Sequence, residues 1–245
     1  MTSTALRFEQ VTKRFGSVAA LDEFSLEVDR GEFFGLVGVN GAGKTTLIKC
    51  LLDFCDATGR IEIFGVDHRL TTARQPLAFL PERFNPPHFL TGRDFLRYML
   101  KLYRQPYDEA RVTQVFASLD LDPGALDKAA RTYSKGMTQK LGLAACLLSG
   151  KELYVLDEPT SGLDPKARAL LKQALEALRQ SKRTVFFSSH ALADISEMCD
   201  RMAVLHGGKL RYAGRPADLA ATAPDGDLER AFLNCIAPSD QTPRQ

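Results

Sequence analysis

The sequence predicts an α/β protein organised around a phosphate-binding loop, and three observations predict it. A short apolar run, Phe33-Phe34-Gly35-Leu36-Val37, leads into Gly38-Val39-Asn40-Gly41-Ala42-Gly43-Lys44-Thr45-Thr46, and Leu47-Ile48-Lys49-Cys50-Leu51-Leu52 follows with apolar residues at helical spacing. Residues 6–28 alternate apolar and polar side chains, as in Phe24-Ser25-Leu26-Glu27-Val28, which marks an antiparallel β-layer. Residues 84–149 switch to a helical period, which marks a helical subdomain inserted between strands.

The loop carries the chemistry. Residues 38–46 match G-x-x-x-x-G-K-[ST] in the strand–loop–helix setting that the motif requires. Its glycines let successive backbone N–H groups turn inward around an anion without Cβ clashes. The helix end behind them adds partial positive charge. Lys44 is then placed to reach the β- and γ-phosphates, and the Thr45 hydroxyl to ligate Mg²⁺. A nucleotide is the expected ligand.

Bulk composition sets the limits. The 245 residues are 44% hydrophobic and 25% charged, as in an average globular chain, with a formal net charge of only +2. That charge gives no electrostatic footprint for nucleic acid or an acidic membrane surface. Cys50, Cys55, Cys146, Cys199 and Cys235 form no C-x-x-C pair, so small buried hydrophobes are expected rather than a disulfide framework or a zinc site. No stretch approaches the roughly 18 apolar residues of a membrane span, and the first residues lack a signal-peptide core. A cytoplasmic chain that meets the membrane only through a partner is the expectation.

Along the chain, Lys13-Arg14-Phe15-Gly16 reads as a turn presenting an aromatic ring. Residues 59–65 read as a glycine-bracketed strand, and Leu77-Ala78-Phe79-Leu80 as a strand buried on both faces and stopped by Pro81. Thr91-Gly92-Arg93-Asp94 resembles a capping box, with Phe95, Leu96, Met99, Leu102 and Tyr103 on the helix face behind it. Val112, Val115, Phe116 and Leu119 mark a second helix, ending near Asp122-Pro123-Gly124. Strand character returns at 151–157. Asp164-Pro165 opens a helix to about Gln180, Thr184-Val185-Phe186-Phe187-Ser188 is the next strand, and His206-Gly207-Gly208 turns a hairpin. Residues 237–245 read as a polar, disordered tail.

Three later stretches bear on the site. Leu153-Tyr154-Val155-Leu156 ends in Asp157 and Glu158, a strand tip able to hold Mg²⁺ through Asp157 and to polarise a water through Glu158. Ser134 reads as the N-cap of a helix kept open by Gly136, either an anion-binding helix end or an ordinary capped helix. Ser188-Ser189-His190 places a histidine after a buried strand, where it serves a γ-phosphate or merely the structure.

Together and in this order, these stretches resemble the ATP-binding cassette (ABC) family, the ATPase subunits of ABC transporters, over residues from about 5 to 235. Tyr133-Ser134-Lys135-Gly136-Met137 is similar to a common variant of that family's LSGGQ signature, and Leu156-Asp157-Glu158-Pro159-Thr160-Ser161-Gly162-Leu163-Asp164 to its Walker B and D-loop run. The resemblance implies a P-loop NTPase core of mixed sheet with an antiparallel β subdomain (1–83 and 150–236) and an inserted helical signature subdomain (84–149). It implies ATP and Mg²⁺ as ligands, Phe15 stacking on adenine, and Gly38, Asn40, Gly41, Ala42, Gly43, Lys44, Thr45 and Thr46 cradling the phosphates. Asp157 then serves Mg²⁺, Glu158 is the catalytic base and His190 the switch histidine. Ser134 and Gly136 would bind the γ-phosphate of ATP held by a second ABC subunit, with Asp164 in the same dimer interface. Transmembrane permease subunits would hold the protein on the cytoplasmic face of the inner membrane.

One position departs from the family. Glu82 stands where a glutamine usually ligates Mg²⁺, adding negative charge beside Glu158, with Arg83 next to it. Phe84-Asn85-Pro86-Pro87-His88-Phe89 reads either as an exposed apolar loop for a permease helix or as core packing. The Leu80-Pro81-Glu82-Arg83 loop and the ending Leu228-Glu229-Arg230-Ala231-Phe232-Leu233 look like ABC-2-type exporter ATPases. The rival readings are an ABC ATPase driving a non-transport mechanical process at the membrane, and a phosphate-loop kinase or GTPase. The latter has no N-K-x-D guanine motif and leaves the Ser134 stretch unexplained.

Overall fold

In a computed structural model that describes residues 3–237, the chain alternates strands and helices. Of the tail expected at 237–245, residues 238–245 lie outside the described residues. In chain order the elements are β1 (Thr4–Phe15), β2 (Val18–Asp29), β3 (Phe33–Val37), α1 (Lys44–Leu51), β4 (Thr58–Ile63), β5 (Val66–Asp67), β6 (Leu77–Leu80), α2 (Gly92–Leu102) and α3 (Glu109–Ser118). There follow α4 (Lys135–Leu148), β7 (Leu153–Asp157), α5 (Pro165–Gln180), β8 (Thr184–Ser189), α6 (Leu192–Met198), β9 (Arg201–His206), β10 (Lys209–Gly214), α7 (Pro216–Ala220) and α8 (Leu228–Ile236). The chain divides into two compact units, 1–74 with 188–245, and 75–187.

In the first unit, β1 pairs antiparallel with both β2 and β4, and β5 adds to β4. One face of this layer is apolar because alternate residues point the same way: Leu6, Phe8, Phe24, Leu26, Val28, Ile61 and Ile63 are buried, with Phe8 edge-on to Phe24. The turn expected at Lys13–Gly16 is shorter than that. Strand pairing continues to Phe15 opposite Val18, and Gly16, at φ +58°, makes the reversal with Ser17. The basic residues before it belong to a ribbon that projects into water, where polar side chains cost nothing.

A second, mixed sheet in the same unit sets β9 parallel to β3 and antiparallel to β10. β3 is buried throughout, so both its faces must be covered. Gly35 makes that possible on one side: a Cβ there would lie 2.5 Å from Ile195 Cδ1 and 2.7 Å from Cys199 Sγ, so only hydrogen lets α6 sit so close. The strand entrance is pinned by paired bonds, Phe33 N–H to Asp200 Oδ2 and Asp200 N–H to Phe33 O, both 2.8 Å. Beside them Arg201 meets Glu32 at 3.2 Å, while burial raises the Glu32 carboxyl above its ordinary value.

The second unit holds the parallel pair β6–β7, in register from Leu77 opposite Leu153 to Leu80 opposite Leu156. Thr91 caps α2, accepting from Asp94 N–H at 3.1 Å and donating to its carboxylate at 2.7 Å. The α2 face differs by one position from the sequence reading. Phe95, Leu96 and Leu100 are buried, whereas Leu102 is exposed, because two residues along a helix is a rotation of about 200°. Gly142 lets α4 close on β6 and the loop after it: a Cβ would stand 2.6 Å from Leu80 Cδ1 and 2.9 Å from Phe84 Cδ1. No helix among the described residues is long and apolar enough to cross a membrane.

Candidate functional site

The buried strand β3 ends at Val37 and the chain opens into the loop that precedes α1. Gly38 and Gly43 are required by packing. A Cβ on Gly38 would sit 2.4 Å from Leu205 O, and one on Gly43, at φ +113°, 2.4 Å from Ala20 O. Gly41 is different: its φ is +80°, and nothing lies within 4 Å of where a Cβ would be, so it faces open space. Asn40 and Gly41 are exposed, Ala42 is buried, and Thr45 and Thr46 are half-buried. Helix α1 starts at Lys44 with no side-chain cap and no acidic residue in its first turn. Its leading N–H groups therefore lack the internal acceptor that a capped helix supplies.

Lys44 is 6% exposed, and its ammonium donates to Gly38 O at 2.6 Å. A buried cation folded over its own loop, beside an uncapped helix end, suits an anion. Two supports of this loop were not legible in the motif. Gly208 N–H donates to Ala42 O at 3.1 Å, and Gly208 O accepts from Asp22 N–H at 2.9 Å, so the β9–β10 turn ties the loop to β2. The His206-Gly207-Gly208 sequence signals a turn, but nothing in it signals that contact. Phe15, the proposed adenine platform, is 55% exposed at the end of β1, with Lys13 Nζ 5.1 Å from the ring centre. His190 is exposed immediately after β8.

In the second unit, β7 delivers Asp157 and Glu158 almost fully buried, at 2% and 6% exposure. Glu158 has φ +49°, the left-handed region that a side-chain-bearing residue enters at a cost of about 1 kcal/mol or more. Ser161 N–H donates to Glu158 O at 3.0 Å and so closes the turn that holds it there. Asp164 caps α5, accepting from Ala167 N–H at 2.8 Å, with Pro165 at the first helical position. Ser134 caps α4, accepting from Met137 N–H at 3.2 Å, and is exposed. Beside it a Cβ on Gly136 would meet nothing closer than Ser134 Oγ at 4.0 Å. Glu82 and Arg83 are both exposed after β6. The two readings of the following loop divide within it. Phe84 packs edge-on against Phe95 at 5.4 Å, and Phe89 is 80% exposed.

The described residues contain no group of three or more His, Cys, Asp or Glu side chains that could hold a metal by themselves. The Thr45 hydroxyl in the first unit and the buried Asp157 carboxylate in the second are each hard oxygen donors, the ligand type that Mg²⁺ takes.

A protein-family model described as ABC transporter matches residues 21–161. The chain belongs to the ABC transporter family. This family member is 40% identical over 207 residues to an uncharacterized ABC transporter ATP-binding protein of Synechocystis sp., a match covering 82% of this chain and 58% of that protein. It therefore spans little more than half the length of that relative. It is 34% identical over 226 residues to the Nod factor export ATP-binding protein I of Rhizobium etli, covering 89% of this chain and 71% of that one. Among solved structures, the ATP binding subunit of an ABC transporter superposes with a TM-score of 0.87 at 28% identity, over 95% of this chain and 99% of the other.

Proposed function

We propose that this ABC family member hydrolyses ATP as the nucleotide-binding subunit of a transporter, working as a pair of copies on separate transmembrane subunits, most simply an exporter. The observation that carries the proposal is the start of α1: an uncapped helix end, a loop open at Gly41, and the buried Lys44 ammonium held over it at 2.6 Å from Gly38 O. An ammonium has three donors, and in this proposal Lys44 directs donors to the phosphate oxygens when nucleotide is bound. The exposed Phe15 ring is free to stack on adenine.

Thr45, Asp157 and Glu82 are the residues that would hold Mg²⁺ in this reading, and the metal would supply charge neutralisation on the phosphate oxygens. Glu158 takes a proton from the attacking water; its burial keeps competing solvent away, and its strained backbone is the kind of cost that persists at working sites. His190 would serve the γ-phosphate as the switch histidine that the family resemblance implies. Ser134 accepts from Met137 N–H, which leaves its own O–H to donate to a γ-phosphate held by the second copy, over the open Gly136. Asp164, exposed at the start of α5, completes the same interface.

Two features support a membrane partner. Phe89 is 80% exposed, and Tyr98 and Leu102, four residues apart on one face of α2, are 54% and 59% exposed. Export is favoured by the name of the Rhizobium etli relative, a Nod factor export ATP-binding protein, and by the exporter-like ending at 228–233. Glu158→Gln tests the assignment directly. ATP binding should survive, turnover should fall by at least about 10²-fold, and an ATP-dependent dimer should accumulate in light scattering. Wild-type turnover in that variant would sink the proposal. Co-purification with a multi-span membrane protein from the same operon tests the transport half separately.

A further inference from the structure

We infer that Cys50 and Cys55 are a dithiol that oxidises reversibly to an intramolecular disulfide at the far end of the phosphate-loop helix. The sequence shows only two cysteines five positions apart, and without C-x-x-C spacing they read as unrelated. The structure brings their sulfurs to 3.5 Å, with both thiols free. A disulfide needs about 2.05 Å, so the sulfurs have roughly 1.5 Å to close.

The turn itself is well defined. Leu52 N–H donates to Ile48 O at 3.0 Å, Asp53 N–H to Cys50 O at 3.0 Å, and Phe54 N–H to Lys49 O at 2.8 Å. Asp53 takes the left-handed conformation at φ +61°, which ends the helix and sends the chain back past Cys50. Arg74 holds the Asp53 carboxylate at 3.3 Å. The reversal therefore fixes the two cysteine positions relative to each other before any oxidant arrives.

The two thiols have different roles. Cys50 is fully buried, and burial, then the hydrogen bond to Cys55, pushes its thiol up to about 12, so it resists direct attack by an oxidant. Cys55 is half-exposed and is the point of entry. A hydroperoxide oxidises the Cys55 thiol to the sulfenic acid, with one oxygen transferred and water released. The Cys50 sulfur then attacks the Cys55 sulfur, the S–O bond breaks, and hydroxide leaves with the Cys50 proton as a second water. The balance is two thiols and one hydrogen peroxide to one disulfide and two waters. A dithiol reductant reverses it by exchange.

The sequence makes the test clean. Trypsin cuts after Lys49 and Arg60, so peptide 50–60 carries Cys50 and Cys55 and no other cysteine. The full-length protein is treated with hydrogen peroxide, unfolded in iodoacetamide and digested. The expected product is peptide 50–60 without alkylation and lighter by about 2 Da than its dithiol form, restored by dithiothreitol. Cys146, buried with its thiol also pushed up to about 12, should remain alkylatable as an internal control. In Cys55→Ser the same treatment should leave Cys50 fully alkylated. The inference is overturned if wild-type peptide 50–60 keeps two alkylated cysteines, if Cys55 stops at the sulfinic acid, or if it bonds to a different peptide.

Discussion

Two helices of this molecule begin at glycine-marked, acid-free first turns, and they begin differently. Helix α1 has no side chain on its leading N–H groups, a left-handed Gly43 before it, and a buried lysine as its first residue. Helix α4 covers its own end: the Ser134 hydroxyl accepts from Met137 N–H, and the neighbouring Lys135 is exposed. The first has the form of an anion nest, with open space at Gly41. The second is stable without a ligand and gains one only when something approaches from outside. That difference matches the proposed division of labour, with α1 gripping ATP alone and α4 adding the last contact to a nucleotide on another copy.

The largest effect should come from the helix that grips alone. Lys44→Ala is expected to lower turnover about 10³-fold with the fold unchanged by circular dichroism, because the buried ammonium has no substitute. Gly43→Ala attacks the same nest through its geometry. With a Cβ 2.4 Å from Ala20 O at φ +113°, it should cost about 3 kcal/mol in urea denaturation. At α4 the effects should be smaller and should separate stability from activity. Ser134→Ala should cost about 1 kcal/mol as a lost cap and should also reduce turnover. Gly136→Ala is the sharpest discriminator. Open space at that position means a stability gain of about half a kcal/mol, yet turnover should fall if a phosphate must approach there. Unchanged turnover in Gly136→Ala would remove the distinction between the two helix ends.

What was legible in the sequence was local. The loop at 38–46, the Asp164-Pro165 start of α5 and the hairpin at 206–208 each declare themselves within a few residues, because caps, turns and phosphate nests are made from neighbours. What was not legible depends on residues far away in the chain or on backbone angles. Residues 13–15 are strand rather than turn because β2 pairs with them to the last residue. Leu100 rather than Leu102 is buried because the packing of α2 sets its rotation. The Ala20 and Leu205 carbonyls that press on Gly43 and Gly38 sit well over a hundred residues apart, and no motif mentions them. The left-handed backbone of Glu158 is equally silent in the letters, since only the folded turn imposes it.

The hairpin turn beneath the loop has a consequence for affinity. Gly208, at φ +75° and with a Cβ that would come within 3.0 Å of Ala20, bridges Ala42 and Asp22 through its own backbone. The nucleotide therefore meets a cradle whose ordering entropy was spent when the protein folded, and less of its binding energy is consumed in shaping the receptor. Residues outside the loop itself would thereby set how tightly a nucleotide is held.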